Sequence, residues 1–291
     1  MKDNNQQNST INWYPGHMVK TKRKIIENIG LIDVVYELID ARLPLSSKIK
    51  DANDYIKGTH RFLIMTKKDL CDLEVTKKWI QMYEDLGYTV LLMDLENNKD
   101  FLQLIDLTKK VMEEEQQKRK KKGLKEKEIH ALVMGIPNVG KSTLINKLAG
   151  KKVANTGNRP GITKNINWLK TNLGILLLDT PGMLWPKIEN NEEALALAST
   201  AAIKSEILNM TDIGGYLVSF LKNNYPQILE KRYNIEVDKE DPVEIMDEIG
   251  RKIGACKHGE TDYEKVSLHV YNDVVNGSIK GVTFDIWKAN Y

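Results

Sequence analysis

Two short stretches of this chain carry residue types suited to handling phosphate, and a third carries types suited to reading a base. The first, Gly135-Ile136-Pro137-Asn138-Val139-Gly140-Lys141-Ser142-Thr143, fits G-x-x-x-x-G-K-[ST] in full. An apolar run at residues 130–134 precedes it, and a helical pattern at residues 143–148 follows. Glycines at those positions let successive backbone N–H groups close around phosphate oxygens, and the helix N-terminus adds its positive end. Lys141 is expected to reach the β- and γ-phosphates and Ser142 to ligate Mg²⁺, with Asn138, Val139, Gly140 and Thr143 completing the loop. A chance glycine turn is the bland alternative, and the agreement of motif with context argues against it.

The second stretch is Asp179-Thr180-Pro181-Gly182, entered from the apolar run at residues 175–178. An acidic residue at the end of a buried strand completes a Mg²⁺ shell in phosphate-loop proteins, and Gly182 can offer its N–H to a γ-phosphate. Between the first two stretches lies RPGITKNINW, residues 159–168, in which Thr163 is the residue to close over metal and γ-phosphate. On its own a Pro-Gly-x-Thr segment reads as a turn; between these two neighbours it reads as a nucleotide switch.

The third stretch is Thr66-Lys67-Lys68-Asp69, directly after the apolar run at residues 61–65. It looks like the guanine-reading motif of GTPases, with Thr66 where Asn is usual. A carboxylate at Asp69 can accept from the guanine N1–H and exocyclic amine, a donor pair that adenine lacks. The Lys67 stem can lie along the base. A bare TKKD in a Lys-rich chain is weak; its place at the end of a buried strand strengthens it. A second base-bordering loop is expected at Asp94-Leu95, after the run at residues 89–93.

These stretches need a frame. Apolar runs of strand length at residues 33–41, 61–65, 89–93, 130–134, 166–170 and 175–178 alternate with helical patterns such as 75–86 and 102–116. Most runs are continuously apolar, which predicts a mostly parallel α/β sheet covered on both faces. Residues 116–128, QQKRKKKGLKEKE, read as an exposed connector or a frayed helix end. Beyond Pro186 the patterns are helical only, at residues 192–208, 213–229, 243–253 and 263–275. The expected organisation is a disordered tail over 1–10, an α/β nucleotide domain over 11–190 and a small all-helical domain over 191–291.

The chain has 291 residues and a net charge of +3, unevenly spread. Residues 194–291 hold 11 basic against 15 acidic residues, so the excess of positive charge lies in the first 193. HMVKTKRK at 17–24 and KRKKK at 118–122 are basic clusters of the kind that meet nucleic acid, or else solvated helix faces. No apolar run reaches the ~18 residues of a membrane span, and the polar start MKDNNQQNST has no signal-peptide core, so a cytoplasmic protein is expected. The two cysteines, Cys71 and Cys256, make no disulfide framework, and Cys256 with His258 is too few ligands for zinc.

The order of the motifs is unusual, since a guanine-reading loop ordinarily follows the phosphate loop. Cutting the ordinary six-stranded GTPase chain before its fourth strand and joining its old ends gives base-reading strand, next strand, phosphate loop, switch, then Asp-x-x-Gly strand. This sequence runs in that order, with 116–128 as the join; surface termini that lie close together tolerate such permutation. The chain thus resembles the circularly permuted GTPases, and among them the ribosome biogenesis GTPase A family. The resemblance is carried by Trp13-Tyr14-Pro15-Gly16-His17-Met18, Asp40-Ala41-Arg42 with Pro44, Thr66 to Asp69, the phosphate loop, Pro160-Gly161-Ile162-Thr163, Asp179 to Gly182 and the helical C-terminal region.

That resemblance implies a six-stranded GTPase sheet, GTP/GDP and Mg²⁺ as cofactors, K⁺ held by Asn138, and action in assembly of the bacterial large ribosomal subunit and its rRNA by a protein that is a monomer when free. Met183 stands where many GTPases orient water with a glutamine, and a thioether cannot do so. The resemblance points instead to His17, whose imidazole could position or deprotonate water; membership of an RNA-contacting basic helix fits it equally. In the helical domain, Ile213, Tyr216, Leu217, Phe220, Leu221 and Ile228 read as core, and Lys222, Lys231, Arg232, Arg251, Lys252 and Lys257 as candidates for phosphate contacts. Two other readings stay open: a GTPase acting on tRNA or the small subunit, and a nucleotide-gated binder with little turnover.

Overall fold

The computed structural model describes residues 11–12, 16–152, 167–183, 187–188, 190–203 and 208–288, without the side chains of 11–12, 16–18, 167 and 187. Thr163 and the tail 1–10 lie outside the described residues, as does the His17 side chain. The chain divides into two compact units, one of residues 15–184 with 280–291, the other of 1–14 with 185–279.

The first unit is built on six strands: β1 (Val34–Asp40), β2 (His60–Thr66), β3 (Thr89–Leu92), β4 (Ile129–Gly135), β5 (Asn167–Lys170) and β6 (Ile175–Asp179). They lie in the order β3-β2-β1-β4-β6-β5, all parallel except β5, which runs antiparallel to β6. Renumbered from the phosphate-loop strand, this is 6-5-4-1-3-2, the ordinary GTPase order entered at its fourth strand. Each expected strand is present within a residue or two. All seven residues of central β1 are buried, Glu37 among them. Its carboxylate accepts from Arg61 Nε at 2.9 Å and faces Lys48 Nζ at 3.5 Å, so the charge is paired.

Four longer helices support the sheet: α1 (Gly16–Asn28), α2 (Leu73–Asp85), α3 (Asn98–Lys121) and α4 (Lys141–Ala149). Asp72 caps α2 by accepting from Glu74 N and Val75 N, and Asn97 caps α3 by accepting from Lys99 N. α3 runs five residues further than the 116 expected, because Lys118, Arg119, Lys120 and Lys121 in its last turn complement the negative end of the helix dipole. The Gln116 side chain then clasps Lys127, donating to its carbonyl at 2.8 Å and accepting from its amide at 3.0 Å, which holds the connector back to β4.

The second unit contains α5 (Asn191–Ser199), α6 (Met210–Asn224), α7 (Pro226–Tyr233), α8 (Pro242–Ile253) and α9 (Tyr263–Val275). Several departures from the sequence reading occur here. The expected helix 213–229 is two helices, because Pro226 cannot continue α6; Tyr225 takes φ −142° and Pro226 opens α7. The region is not all-helical: Cys256–Lys257 and Glu260–Thr261 form a short antiparallel hairpin through His258 and Gly259, both at positive φ. Ile213, Leu217, Phe220 and Leu221 are buried, as expected, while Tyr216 and Ile228 are half-buried. Residues 280–291, expected with this domain, group with the α/β unit, where the amides of Gly281, Val282 and Phe284 make their hydrogen bonds.

Candidate functional site

Parallel strands bring the C-terminal ends of β1, β2, β3, β4 and β6 to one edge of the sheet, where open α/β folds bind ligands. The phosphate loop, the Asp179 loop and both base-bordering loops leave from that edge. The phosphate loop turns between β4 and α4 through Gly135 at φ 155°, Asn138 at φ 58° and Gly140 at φ 103°. Gly135 is also sterically required by backbone, whereas at Gly140 the neighbour is the end of a leucine side chain. A Cβ on Gly135 would stand 2.5 Å from the Leu38 carbonyl oxygen, and one on Gly140 would stand 2.5 Å from Leu95 Cδ1.

Lys141, the first residue of α4, is buried, and its ammonium donates to the carbonyls of Gly135 (3.1 Å) and Ile136 (2.6 Å). Burial pushes it down to about 8, against the attraction of Asp179. Asp179 ends β6. Burial pushes its carboxyl up to about 6, partly offset by the Lys141 ammonium and by the Thr180 amide. Among the described residues, Asp179 Oδ1 is a buried oxygen without a hydrogen-bond partner. Such a carboxylate oxygen, together with the Ser142 hydroxyl of the phosphate-loop motif, is the donor set a hard divalent cation takes, so these residues fit Mg²⁺.

Past Asp179 the chain is locked to the phosphate loop. Thr180 Oγ1 donates to the Val133 carbonyl at 2.8 Å, and the Met183 amide donates to the Gly135 carbonyl at 3.0 Å. Gly182 lies so close to Pro137 that a Cβ would meet its backbone at 2.8 Å. The Met183 side chain is buried in a core cluster with Ile25, Leu132, Met134 and Leu178. It faces away from solvent and supplies nothing to water. Ile25 of α1 shares that cluster, so the helix that carries His17 is anchored beneath the same loop; His17 lies eight residues, or about 12 Å of helix rise, from Ile25.

The guanine-motif residues divide between two tasks. Thr66 is fully buried, and its hydroxyl donates to the Val139 carbonyl at 2.7 Å. It ties β2 to the phosphate loop. Lys67 sits at φ 62°, half-buried, and Asp69 is exposed. Lys68 turns away to pair with Asp100 at 3.4 Å. Asp100 also accepts from the Asp94 amide at 2.9 Å, so one carboxylate at the start of α3 joins the two base-bordering loops. Leu95 is buried against Gly140, and Lys147 of α4 donates to its carbonyl at 2.8 Å. Val139 is buried, while Asn138, Ser142 and Thr143 are half-buried.

Sequence reasoning missed Asp100 and the work done by Asp40 and Arg42. The Arg42 guanidinium grips Asp40 through Nε (3.0 Å) and Nη2 (2.7 Å) in a fully buried pair. Burial alone would raise the Asp40 carboxyl, but Arg42 holds it below the usual range, with Lys67 adding to the effect. Asp69 in turn helps keep Arg42 charged, behind Asp40 as the main partner. For Asp100 the sequence offers no signal beyond an acidic residue three positions into a helix after a candidate loop.

Comparison with known proteins agrees with this geometry. A family model described as 50S ribosome-binding GTPase matches residues 130–253, and one described as RsgA GTPase matches residues 52–189. Ribosome biogenesis GTPase A of Bacillus licheniformis is 42% identical over 94% of this chain and 98% of its own length. That of Priestia megaterium is 42% identical over 95% and 96%. Among solved structures, GNP-bound YlqF from T. maritima is similar with a TM-score of 0.61 and 25% identity, over 92% of this chain and 98% of that one. A GDP-bound YlqF gives a TM-score of 0.63 at 24% identity, over 91% and 99%. The chain belongs to the ribosome biogenesis GTPase A family and is a GTPase.

Proposed function

We propose that this GTPase assembles the bacterial large ribosomal subunit, binding pre-ribosomal RNA and protein in its GTP state and releasing them after hydrolysis. It acts as a monomer when free, in the cytoplasm. The observation that carries the nucleotide half of this reading is the joining of three loops at one sheet edge: Thr66 to Val139, Leu95 against Gly140, and Met183 to Gly135. The ribosomal half rests on the relatives' names and on exposed cations of α1, where Lys20 and Lys24 are exposed and Arg23 pairs with Glu27 of its own helix.

In this reading Asp69 accepts from the guanine N1–H and amine, and the Lys67 stem covers the base. The α4 N-terminus and Lys141 hold the phosphates, and a triphosphate restores full charge to an ammonium that burial has weakened. Ser142 and Asp179, with Thr163, would hold Mg²⁺, which neutralises charge developing on the β- and γ-phosphates. Gly182 offers its amide to the γ-phosphate, because the neighbouring Met183 amide is already engaged. Asn138 would supply an oxygen to K⁺. With Met183 buried, the isolated protein lacks a water-orienting side chain at that position, and His17 supplies it once the ribosomal subunit fixes the start of α1.

The test is sedimentation with purified subunits. Large subunits should retain the protein with non-hydrolysable GTP and release it with GDP, and His17→Ala should lose subunit-stimulated turnover while keeping nucleotide affinity. Retention on small subunits or tRNA instead, or equal retention with both nucleotides, contradicts the proposal.

A further inference from the structure

The α/β unit contains a segment that no motif announces. After residue 279 the chain returns to it, and Lys280 to Trp287 run along the loops that follow β1 and β2. The amides of Gly281 and Val282 donate to the Leu70 carbonyl at 2.7 and 3.1 Å. Thr283 Oγ1 accepts from the Asp72 amide at 3.1 Å and meets the Thr76 hydroxyl at 3.3 Å. The Phe284 amide donates to the Arg42 carbonyl at 2.7 Å. Asp285 accepts from the amides of Leu45 and Ser46 at 2.7 and 2.8 Å, and its own carbonyl accepts from the Trp79 indole at 2.9 Å. Val282, Thr283 and Phe284 are buried. Trp287 stands edge-on to Trp79 with ring centres 5.1 Å apart.

These bonds fall on the two flanks of the candidate guanine reader. Thr66 is fixed on one side of it by the phosphate loop, and Leu70 and Asp72 are fixed on the other by the segment. Only Lys67 to Asp69 lie between. Arg42, gripped at its carbonyl by Phe284, uses its guanidinium on Asp40 next to Lys67 and Asp69. Lys280 and Gly281 also share a cleft of about 440 Å³ with Lys68, Asp69, Asp94 and Asn97. The segment therefore bears on both base-bordering loops, and none of the bonds just named reaches the phosphate loop.

We propose that this C-terminal strap is a positioning element for guanine recognition: Thr283 and the Gly281 amide hold the Leu70–Asp72 flank so that Asp69 meets the base. This rests on the assignment of Asp69 as the base reader. Strap docking and guanine binding then favour one another reciprocally, while phosphate binding is indifferent to the strap.

The test uses full-length variants and two probes, GDP and inorganic tripolyphosphate as its competitor. Thr283→Val leaves the shape and removes the acceptor for Asp72. It should weaken GDP by roughly three- to tenfold, the range that one net hydrogen bond supports, and leave tripolyphosphate unchanged. Thr283→Ser should restore GDP. In the wild-type protein GDP should slow hydrogen exchange at the Gly281 and Phe284 amides, and tripolyphosphate should not. Equal weakening of both probes, or unchanged GDP affinity with unchanged strap exchange, overturns the proposal. Asp69→Asn measured alongside separates the two ideas: a retained guanine preference there removes the base-reader assignment, whereas the strap falls only on the loss of the GDP–tripolyphosphate contrast.

Discussion

Replacing Thr66 by Val tests how the site is held together. The usual reading gives this position a role in contacting the nucleotide, but here its hydroxyl donates to the Val139 carbonyl at 2.7 Å inside a fully buried setting. Valine keeps the shape and removes the donor, leaving a buried carbonyl of the phosphate loop unpaired. Such a loss costs about 1–3 kcal/mol. For a domain of this size that lowers Tm by roughly 2–12 °C, at about 2–4 °C per kcal/mol. If the bond selects the phosphate-binding form of the loop, up to the same free energy appears as weaker binding, about fivefold for 1 kcal/mol and more than 100-fold for 3. The assay is thermal unfolding together with equilibrium binding of GTP and inosine triphosphate, which lacks the exocyclic amine. Both nucleotides should weaken by the same factor, leaving the preference for GTP intact. A change in that preference would mean that Thr66 touches the base, and an unchanged affinity and Tm would mean that the Thr66–Val139 bond holds nothing.

The remaining predictions concern the phosphate edge. Met183→Gln should not raise GTP turnover, because the side chain enters the core beside Ile25 and Leu178; burying its amide should instead lower stability by about 1–3 kcal/mol, read as a fall in Tm. Asp179, raised to about 6, stabilises the ligand-free fold only at low pH, and that contribution is lost as pH rises through 6. Lys141, lowered to about 8, contributes above its unfolded value, and its contribution is lost as pH falls through 8. Mg²⁺ with GDP should therefore raise Tm most between about pH 6 and 8, and Mg²⁺ affinity should fall about tenfold per pH unit below 6. A pH-independent Tm increment in the wild type, or one that Asp179→Asn leaves unaltered, contradicts the coupling of these two groups to the bound ions.

How much of the fold and the site is legible in the sequence follows from where the information sits in the chain. The six strands are readable because a strand buried on both faces is apolar along most of its length, as residues 62–65 are. The permutation is readable because each motif is a few contiguous residues, so their order can be compared with the ordinary order. Asp179 and Lys141 are readable for the same reason. The strap is not: Thr283 and Asp72 are partners 211 positions apart, and the strap carries no periodicity or motif of its own. Asp100 is hidden because it looks like any acid in the first turn of a helix, although its carboxylate joins Lys68 to the Asp94 amide. The break at Pro226 is present in the sequence, but an uninterrupted apolar stripe on both sides outweighs it. Met183 is readable as unable to orient water; that it lies in the core, bonded through its amide to Gly135, needs the fold.

Asp69→Asn gives the most direct measurement of the central claim, that Thr66-Lys67-Lys68-Asp69 reads guanine although it precedes the phosphate loop. The exchange turns an acceptor for the guanine N1–H and amine into a donor. Dissociation constants for GTP, ATP and xanthosine triphosphate should be measured for both proteins. Two charge-assisted hydrogen bonds at ~1.5–3 kcal/mol each predict that GTP weakens by at least about 100-fold. Xanthosine triphosphate, which presents an oxygen there, should gain and become the preferred nucleotide, with ATP weak throughout. A wild-type protein that binds ATP as tightly as GTP, or a variant that keeps the wild-type preference, would contradict the account.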